Sequence, residues 1–414
     1  MITLAADATP PAKAFRDTFH QKRFTLGPNP FLGVIFHWIG GLASASCYLP
    51  FRGIKRWSWE TYWLLQGFFS WIIAPMFFAT LLVPHLWAIL RAAPSSSLGY
   101  AYFWGVLWGF GGLTFGLSIR YLGIALGYPI ALGLCTVFGT LMPPIFSGQI
   151  HAILHTGSGQ IILLGIAVCA LGIVFSGLAG RSKEKELTTE QKTETVQEFH
   201  YFKGLAVAVF AGVMSACFAY GLAAGKPIGD IAKASLVAEG HSDLWQNLPV
   251  LVLVLWGGFT TNFIWCVILL VRNSSYYQYL GASAPNLDSQ DNIIAAEALS
   301  SSPLTGNPLR SRLRTSYVPL RLNYFLAALA GLIWYFQFFF YSMGQTKMGK
   351  YDFSSWTLHM ASIIIFSTIW GIMLHEWRGT SAKTRWLVAA GLALLVGSTI
   401  VVGYGNYLSV GASQ

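Results

Sequence analysis

Ten runs of about twenty predominantly apolar residues follow one another along the chain, at about 31–49, 61–82, 98–118, 122–146, 159–178, 204–222, 248–271, 322–343, 356–375 and 385–404. A helix rises about 1.5 Å per residue, so each run is long enough to cross the roughly 30 Å hydrocarbon core of a bilayer. Backbone amides in lipid must find their partners internally, which restricts such a chain to a helical bundle. Apolar runs also occur in soluble cores, and composition separates the two cases. Only 10% of the 414 residues are charged, against roughly 25% in an average soluble domain. That is too little polar surface for a water-soluble globule of this size. The 43 Gly are spread through apolar stretches, and Trp and Tyr are abundant. Membrane helices use Gly for close contact and Trp and Tyr as interfacial anchors. The expected fold is all-α, a polytopic membrane protein with ten transmembrane helices.

Residues 1–30 form a polar tail that lacks the apolar centre and small-residue cleavage site of a secretory signal. The five cysteines, Cys47, Cys135, Cys169, Cys217 and Cys266, sit within apolar runs without metal-like spacing and are expected to be buried small hydrophobes. The fourth run contains Pro129, Pro143 and Pro144, which predicts a kinked or discontinuous helix.

Lys and Arg orient the bundle. Seventeen of the 26 fall in alternate connections: "FRGIKRWS", the turn at Arg120, the segment from Arg181 to Lys203, the segment from Arg272 to Arg321, and "EWRGTSAKTR". The positive-inside rule makes those connections cytoplasmic and places both termini outside.

The spans divide five and five about the charged connector 179–203, giving one half over 31–178 and another over 204–404, with 405–414 as a tail. An odd number per half makes span one run inward and span six outward. "GLASASCY" in span one also resembles "GVMSACFAY" in span six. Two inverted five-helix repeats follow, an arrangement that puts a substrate site at the repeat interface. The long connection 272–321 is polar, Ser-rich and basic at its end, and suits a cytoplasmic loop near anionic lipid headgroups. It contains no nucleotide-binding motif. No nucleic-acid partner, cofactor or metal is expected.

His37 and His359 carry the most chemistry. Each lies a few residues inside the outer end of its span, where an ionisable group is costly unless it faces a cavity or a partner. Histidine exchanges a proton near neutrality. The pair reads either as proton coupling or sugar-hydroxyl recognition in a shared outer cavity, or as neutral histidines hydrogen-bonded within the bundle. Glu60 is a further candidate for the proton. Its inner-end position beside Arg56, like that of Glu376 beside Arg378, makes interfacial charge pairing the default reading for both. Arg120 and Asp352 are candidate gating or structural charges.

In "LIWYFQFFFYSMG", Trp334, Gln337 and Tyr341 recur at spacings of three and four and share one helix face. Sugar pockets combine an aromatic plane with oriented donors and acceptors. Trp38, Gln66, Trp108 and Asn262 are candidates to complete such a pocket. No paired carboxylates, Ser-His-Asp pattern or sizeable aqueous domain is present in the sequence, so transport ranks above catalysis.

The segments "FHWIGGLASASCYLPFRGIKRWSWETYW", "SWIIAPMFFATLLVPHLW", "IRYLGIALG", "GTLMPPI", "WYFQFFFYSMG", "YDFSSWTLHM" and "EWRG" together closely resemble the L-rhamnose-proton symporter family of the drug/metabolite transporter superfamily. The resemblance runs from about residue 31 to the end. It implies ten helices in two inverted halves, a bacterial inner membrane, and proton-coupled uptake of L-rhamnose or a related sugar. An uncoupled facilitator and a membrane sugar receptor are the alternatives. His37, Glu60, Arg120, Gln337, Asp352, His359 and Glu376 match positions of the family pattern. Two departures stand out: the family pattern has an asparagine near Gly112, and the tail and the loop after span seven exceed the family's usual length.

Overall fold

Asn29 starts the first helix: its Oδ1 accepts the Leu32 amide at 3.1 Å, and Pro30 follows at the first helical position, where its missing N–H costs nothing. The computed structural model describes residues 27–122, 124–186, 201–281 and 319–411. The amino-terminal tail before residue 27 and most of the two long connections lie outside the described residues.

Ten long helices follow: α1 (Pro30–Ser46), α2 (Trp59–Leu82), α3 (Ser95–Leu122), α4 (Ile124–Phe146), α5 (Gly157–Glu186), α6 (Tyr201–Ala224), α7 (Leu248–Arg272), α8 (Leu320–Lys347), α9 (Ser355–Met373) and α10 (Ala382–Gly411). No strand occurs among the described residues. Nine helices there are long and apolar enough to cross a membrane. The exception, α3, is 28 residues long but is diluted by Gly, Trp and Tyr, which lower its hydropathy.

Proline shapes two helices differently. In α2 a π-helical turn at Phe69–Ile73 immediately precedes Ala74 and Pro75. The wider turn accommodates a residue that has no amide to give to the preceding turn. Of the kinked and discontinuous forms expected for α4, the discontinuous one does not occur: it is one helix with Pro129, Pro143 and Pro144 inside it. A side chain at Gly177 of α5 would strike the Pro129 ring, so its absence provides the space.

Helix pairing follows an exchange pattern. α1 lies against α8 and α9, while α6 lies against α3 and α4; α2 meets α8, α3 meets α7, and α5 meets α10. Small residues allow the close approaches. A side chain at Gly40 would meet the Gln337 carbonyl, and one at Gly41 would meet Ser362. The "GGLASAS" face thus fits α1 against α8 and α9. All five cysteines are free and buried.

The two ends of the bundle differ. Where α1 ends and α2 begins, the connection is laced to the end of α7 and to the short helix Ser275–Leu280. Gln278 Oε1 accepts from the Ser58 amide (2.7 Å), Ser58 Oγ (3.1 Å) and Thr61 Oγ1 (2.8 Å), and its carbonyl accepts from Trp57 Nε1 (3.1 Å). Asn323 brackets Lys55, accepting its amide at 3.2 Å and donating to its carbonyl at 2.8 Å. At the same end Glu186 accepts from Ser381 and Thr384, so a carboxylate caps the start of α10. This is the sealed end. The opposite end opens into a cavity.

Candidate functional site

The cavity has a volume of about 610 Å³, within the roughly 300–1,000 Å³ typical of ligand pockets. The ends of α4, α6 and α8 and the approaches to α1, α7 and α9 surround it, and all of these lie at the open end. Tyr341 and Trp356 line it and form its floor, since Tyr341 stands well inside the end of α8 at Lys347 and the Trp356 indole reaches Cys135, well inside the end of α4 at Phe146. Both are nearly buried, at 2% and 4% exposure, so the floor is almost closed. Trp356 is held by an indole hydrogen bond to the Cys135 carbonyl of α4 at 3.0 Å, over Gly139, where any side chain would displace the ring. The ring of Tyr341 stands 5.9 Å away, nearly perpendicular to Trp356.

His37 and His359 meet under that floor. Their rings lie 5.3 and 5.1 Å from the Tyr341 ring. Ser362 Oγ sits 2.9 Å from the His37 carbonyl and 2.8 Å from the His359 carbonyl, sharing its one proton between α1 and α9. Gly344 has no side chain to collide with the His37 imidazole. Both histidines are buried, and His37 Nδ1 and Nε2 and His359 Nδ1 have no hydrogen-bond partner among the described residues. Buried polar atoms are nearly always paired. Three unpaired imidazole nitrogens beside one tyrosine therefore mark a place where a proton, water or ligand hydroxyl has chemistry to complete.

The structure distributes the other sequence candidates. Tyr341 and Asp352 line the cavity. Gln337 is one turn deeper on α8, buried against α1, and Gln66 on α2 is likewise buried; among the described residues neither Nε2 has a hydrogen-bond partner. Trp334 and Trp108 stack at 5.9 Å, and Trp71 meets Trp334 edge-on at 5.0 Å. These residues belong to the central aromatic core below the floor. Trp38 lies apart, on the outer groove between α1 and α10 and against Phe366. Asn262 is engaged at both ends of its amide, accepting from Trp63 Nε1 at 3.2 Å and donating to the Gly258 carbonyl at 2.9 Å.

The charged candidates sit mostly at the sealed end. Glu60 is buried and accepts from Ser275 Oγ (2.6 Å) and Asn273 Nδ2 (3.1 Å) instead of pairing with Arg56. Glu376 pairs with Arg52 at 3.1 Å, an exposed bridge across connections, and not with Arg378. Arg120 falls near the end of α3, and its side chain lies outside the described residues.

Sequence reasoning passed over several cavity residues: Asn247, whose Nδ2 donates to Gln345 Oε1 at 3.3 Å across the wall, and Asp243, which pairs at 3.3 Å with Lys347. Lys347 itself, which its outer-side position suggested as an entrance residue, is fully buried. Gln345 continues the Trp334–Gln337–Tyr341 face by four residues, and Trp356 precedes His359 by three, so both were within reach of the helical spacing. Asn247 carried no comparable signal.

A bundle of membrane-length helices sealed at one end, with a polar-walled cavity leading from the other toward buried ionisable groups, defines a membrane transport protein. The chain matches the profile of the L-rhamnose-proton symport protein (RhaT) family over residues 28–297 and 314–408, and it belongs to that family. It is 33% identical over 375 residues to proteins named L-rhamnose-proton symporter from Klebsiella pneumoniae subsp. pneumoniae and from Yersinia pestis, covering 90% of this chain and 97% of each relative. The profile match omits residues 1–27, 298–313 and 409–414, which fall in the amino-terminal tail, the long connection and the carboxy-terminal end.

Proposed function

We propose that this chain carries L-rhamnose, or a closely related sugar, inward across a bacterial inner membrane together with protons. The observation that carries the reading is the cavity floor: Tyr341 stands between an open polar vestibule and two buried histidines with unpaired ring nitrogens. Family membership supplies the substrate class.

On this reading α3 also crosses the membrane, which makes ten spans in two halves of five. The exchange pattern supports inverted repeats, because α1 packs on the third and fourth helices of the second half as α6 packs on those of the first. The halves are 31–178 and 204–404, joined by 179–203, and the 272–321 loop is cytoplasmic. The positive-inside count makes the open end periplasmic, with both termini on that side. Basic connections then lie beside anionic lipid headgroups. In a chain without its own cysteines, a cysteine at Lys226 should react with an impermeant thiol reagent in intact cells, and one at Arg181 should not. The reverse pattern overturns the orientation.

Transport on this scheme begins in the periplasmic vestibule. The sugar passes Tyr341 and Trp356 to the deeper face of Trp334, Gln337 and Gln66, where the two unpaired amides offer donors to its hydroxyls. His37 and His359 bind the coupling proton while the open end faces out and release it after the halves rock. A proton that strengthens sugar binding must itself bind more tightly when sugar is present, so apparent sugar affinity should rise as external pH falls.

Proteoliposomes test the activity. Uptake of L-rhamnose should follow an inward proton gradient and collapse with a protonophore. Equal uptake without the gradient indicates a facilitator, and binding without flux indicates a receptor.

A further inference from the structure

The vestibule has polar chemistry that the proposed deep site does not use. Asn247 and Gln345 hold each other by one side-chain hydrogen bond across the wall, which leaves Asn247 Oδ1 and Gln345 Nε2 for a third party. Gln246 lines the same cavity, and its Oε1 is buried without a partner among the described residues. Asp352 lines the same cavity. This set of donors and acceptors matches neighbouring hydroxyls on one ring, each of which gives one hydrogen bond and accepts others. The formal charges in the wall also balance. Lys226 and Lys233 offset Asp230 and Asp352, and Asp243 is paired with the buried Lys347. A balanced wall gives no net attraction for a carboxylate or an ammonium ligand. Below, the nearly closed floor of Tyr341 and Trp356 separates this space from the unpaired amides of Gln337 and Gln66.

We infer that the vestibule is a second sugar site, built by Asn247, Gln345, Gln246 and Asp352 for a neutral polyhydroxylated ring and occupied before the sugar passes the floor. The inference rests on the sugar-carrier reading. It assigns the vestibule to capture and the deeper face to translocation. Loss of the vestibule site therefore impairs loading at low sugar concentration and leaves the driving force for accumulation unchanged.

Equilibrium dialysis of radiolabelled L-rhamnose against the purified full chain in detergent measures the stoichiometry. The expected result is two sugars per chain, falling to one in Asn247→Leu/Gln345→Leu. That variant should show a half-saturation for uptake raised about tenfold and an unchanged accumulation ratio at saturating sugar, where tenfold corresponds to about 1.4 kcal/mol. A uronic acid should compete poorly. One sugar per chain in the unaltered protein overturns the vestibule site, as does unchanged binding in a folded variant or equal competition by the uronic acid. The stoichiometry of the unaltered chain decides the matter even if the variant fails to fold. Proton-driven uptake with one bound sugar leaves the symport reading standing, whereas absence of binding and uptake for every sugar removes both.

Discussion

His37→Gln combined with His359→Gln should abolish proton-driven sugar accumulation, lowering the steady-state gradient by about tenfold or more, about 1.4 kcal/mol or more of driving force. Sugar exchange between two rhamnose-containing compartments, which needs no net proton movement, should persist. Glutamine keeps much of the histidine's shape and hydrogen-bonding capacity but cannot carry the proton. Both rings touch Tyr341 at the cavity floor, their backbones are joined through Ser362, and three of their ring nitrogens have no partner among the described residues. The carboxylates lie elsewhere: Asp352 lines the vestibule above the floor, while Glu60 and Glu376 are at the sealed end. Uptake and proton flux measured against pH for the single and double variants separate the possibilities. Wild-type pH dependence and an unchanged proton-to-sugar ratio in all three rule out the histidines and redirect attention to Glu60 and Asp352.

The bundle was legible in the sequence because lipid imposes one length and one hydrogen-bonding solution on every crossing. Helix ends were less so. α5 and α10 extend to Gly157–Glu186 and Ala382–Gly411, beyond the runs at 159–178 and 385–404, since hydropathy marks the apolar stretch and not the polar turns beyond it. At the site, His37 and His359 were recognised as a pair from their matching depth. Trp38 was assigned to the same pocket as His37, yet adjacent helical residues point about 100° apart, and His37 faces α8 while Trp38 faces the outer groove. The partners of Glu60 illustrate the remaining limit. Ser275 and Asn273 are more than 200 residues away, and only tertiary packing brings them together in preference to the neighbouring Arg56.

Gln278→Leu should open the sealed end. In the structure one side-chain oxygen of Gln278 gathers the Ser58 amide, Ser58 Oγ and Thr61 Oγ1, tying the start of α2 to the connection that follows α7. Leucine has similar bulk and no acceptor, so the Ser58 amide loses this bond and the Ser58 and Thr61 hydroxyls keep only their contact with each other at 3.0 Å. At about 0.5–1.5 kcal/mol per net hydrogen bond, a loss of about 2 kcal/mol shifts the balance between sealed and open states by about 30-fold. Cys266 provides a native reporter, since it is fully buried on α7 within electrostatic reach of Glu60 and Tyr279. Its reaction with a thiol reagent applied from the sealed side should accelerate by a similar factor. Apparent sugar affinity from the open side should fall in proportion to the population withdrawn from the binding-competent state. Glu60→Leu should act in the same direction, because Ser275 and Asn273 then lose a charged acceptor, a kind of bond worth more than a neutral one. If Cys266 stays protected in both variants while sugar affinity is unchanged, these contacts anchor the connection without gating it, and the seal must lie in the packing of α1 and α2 against α8.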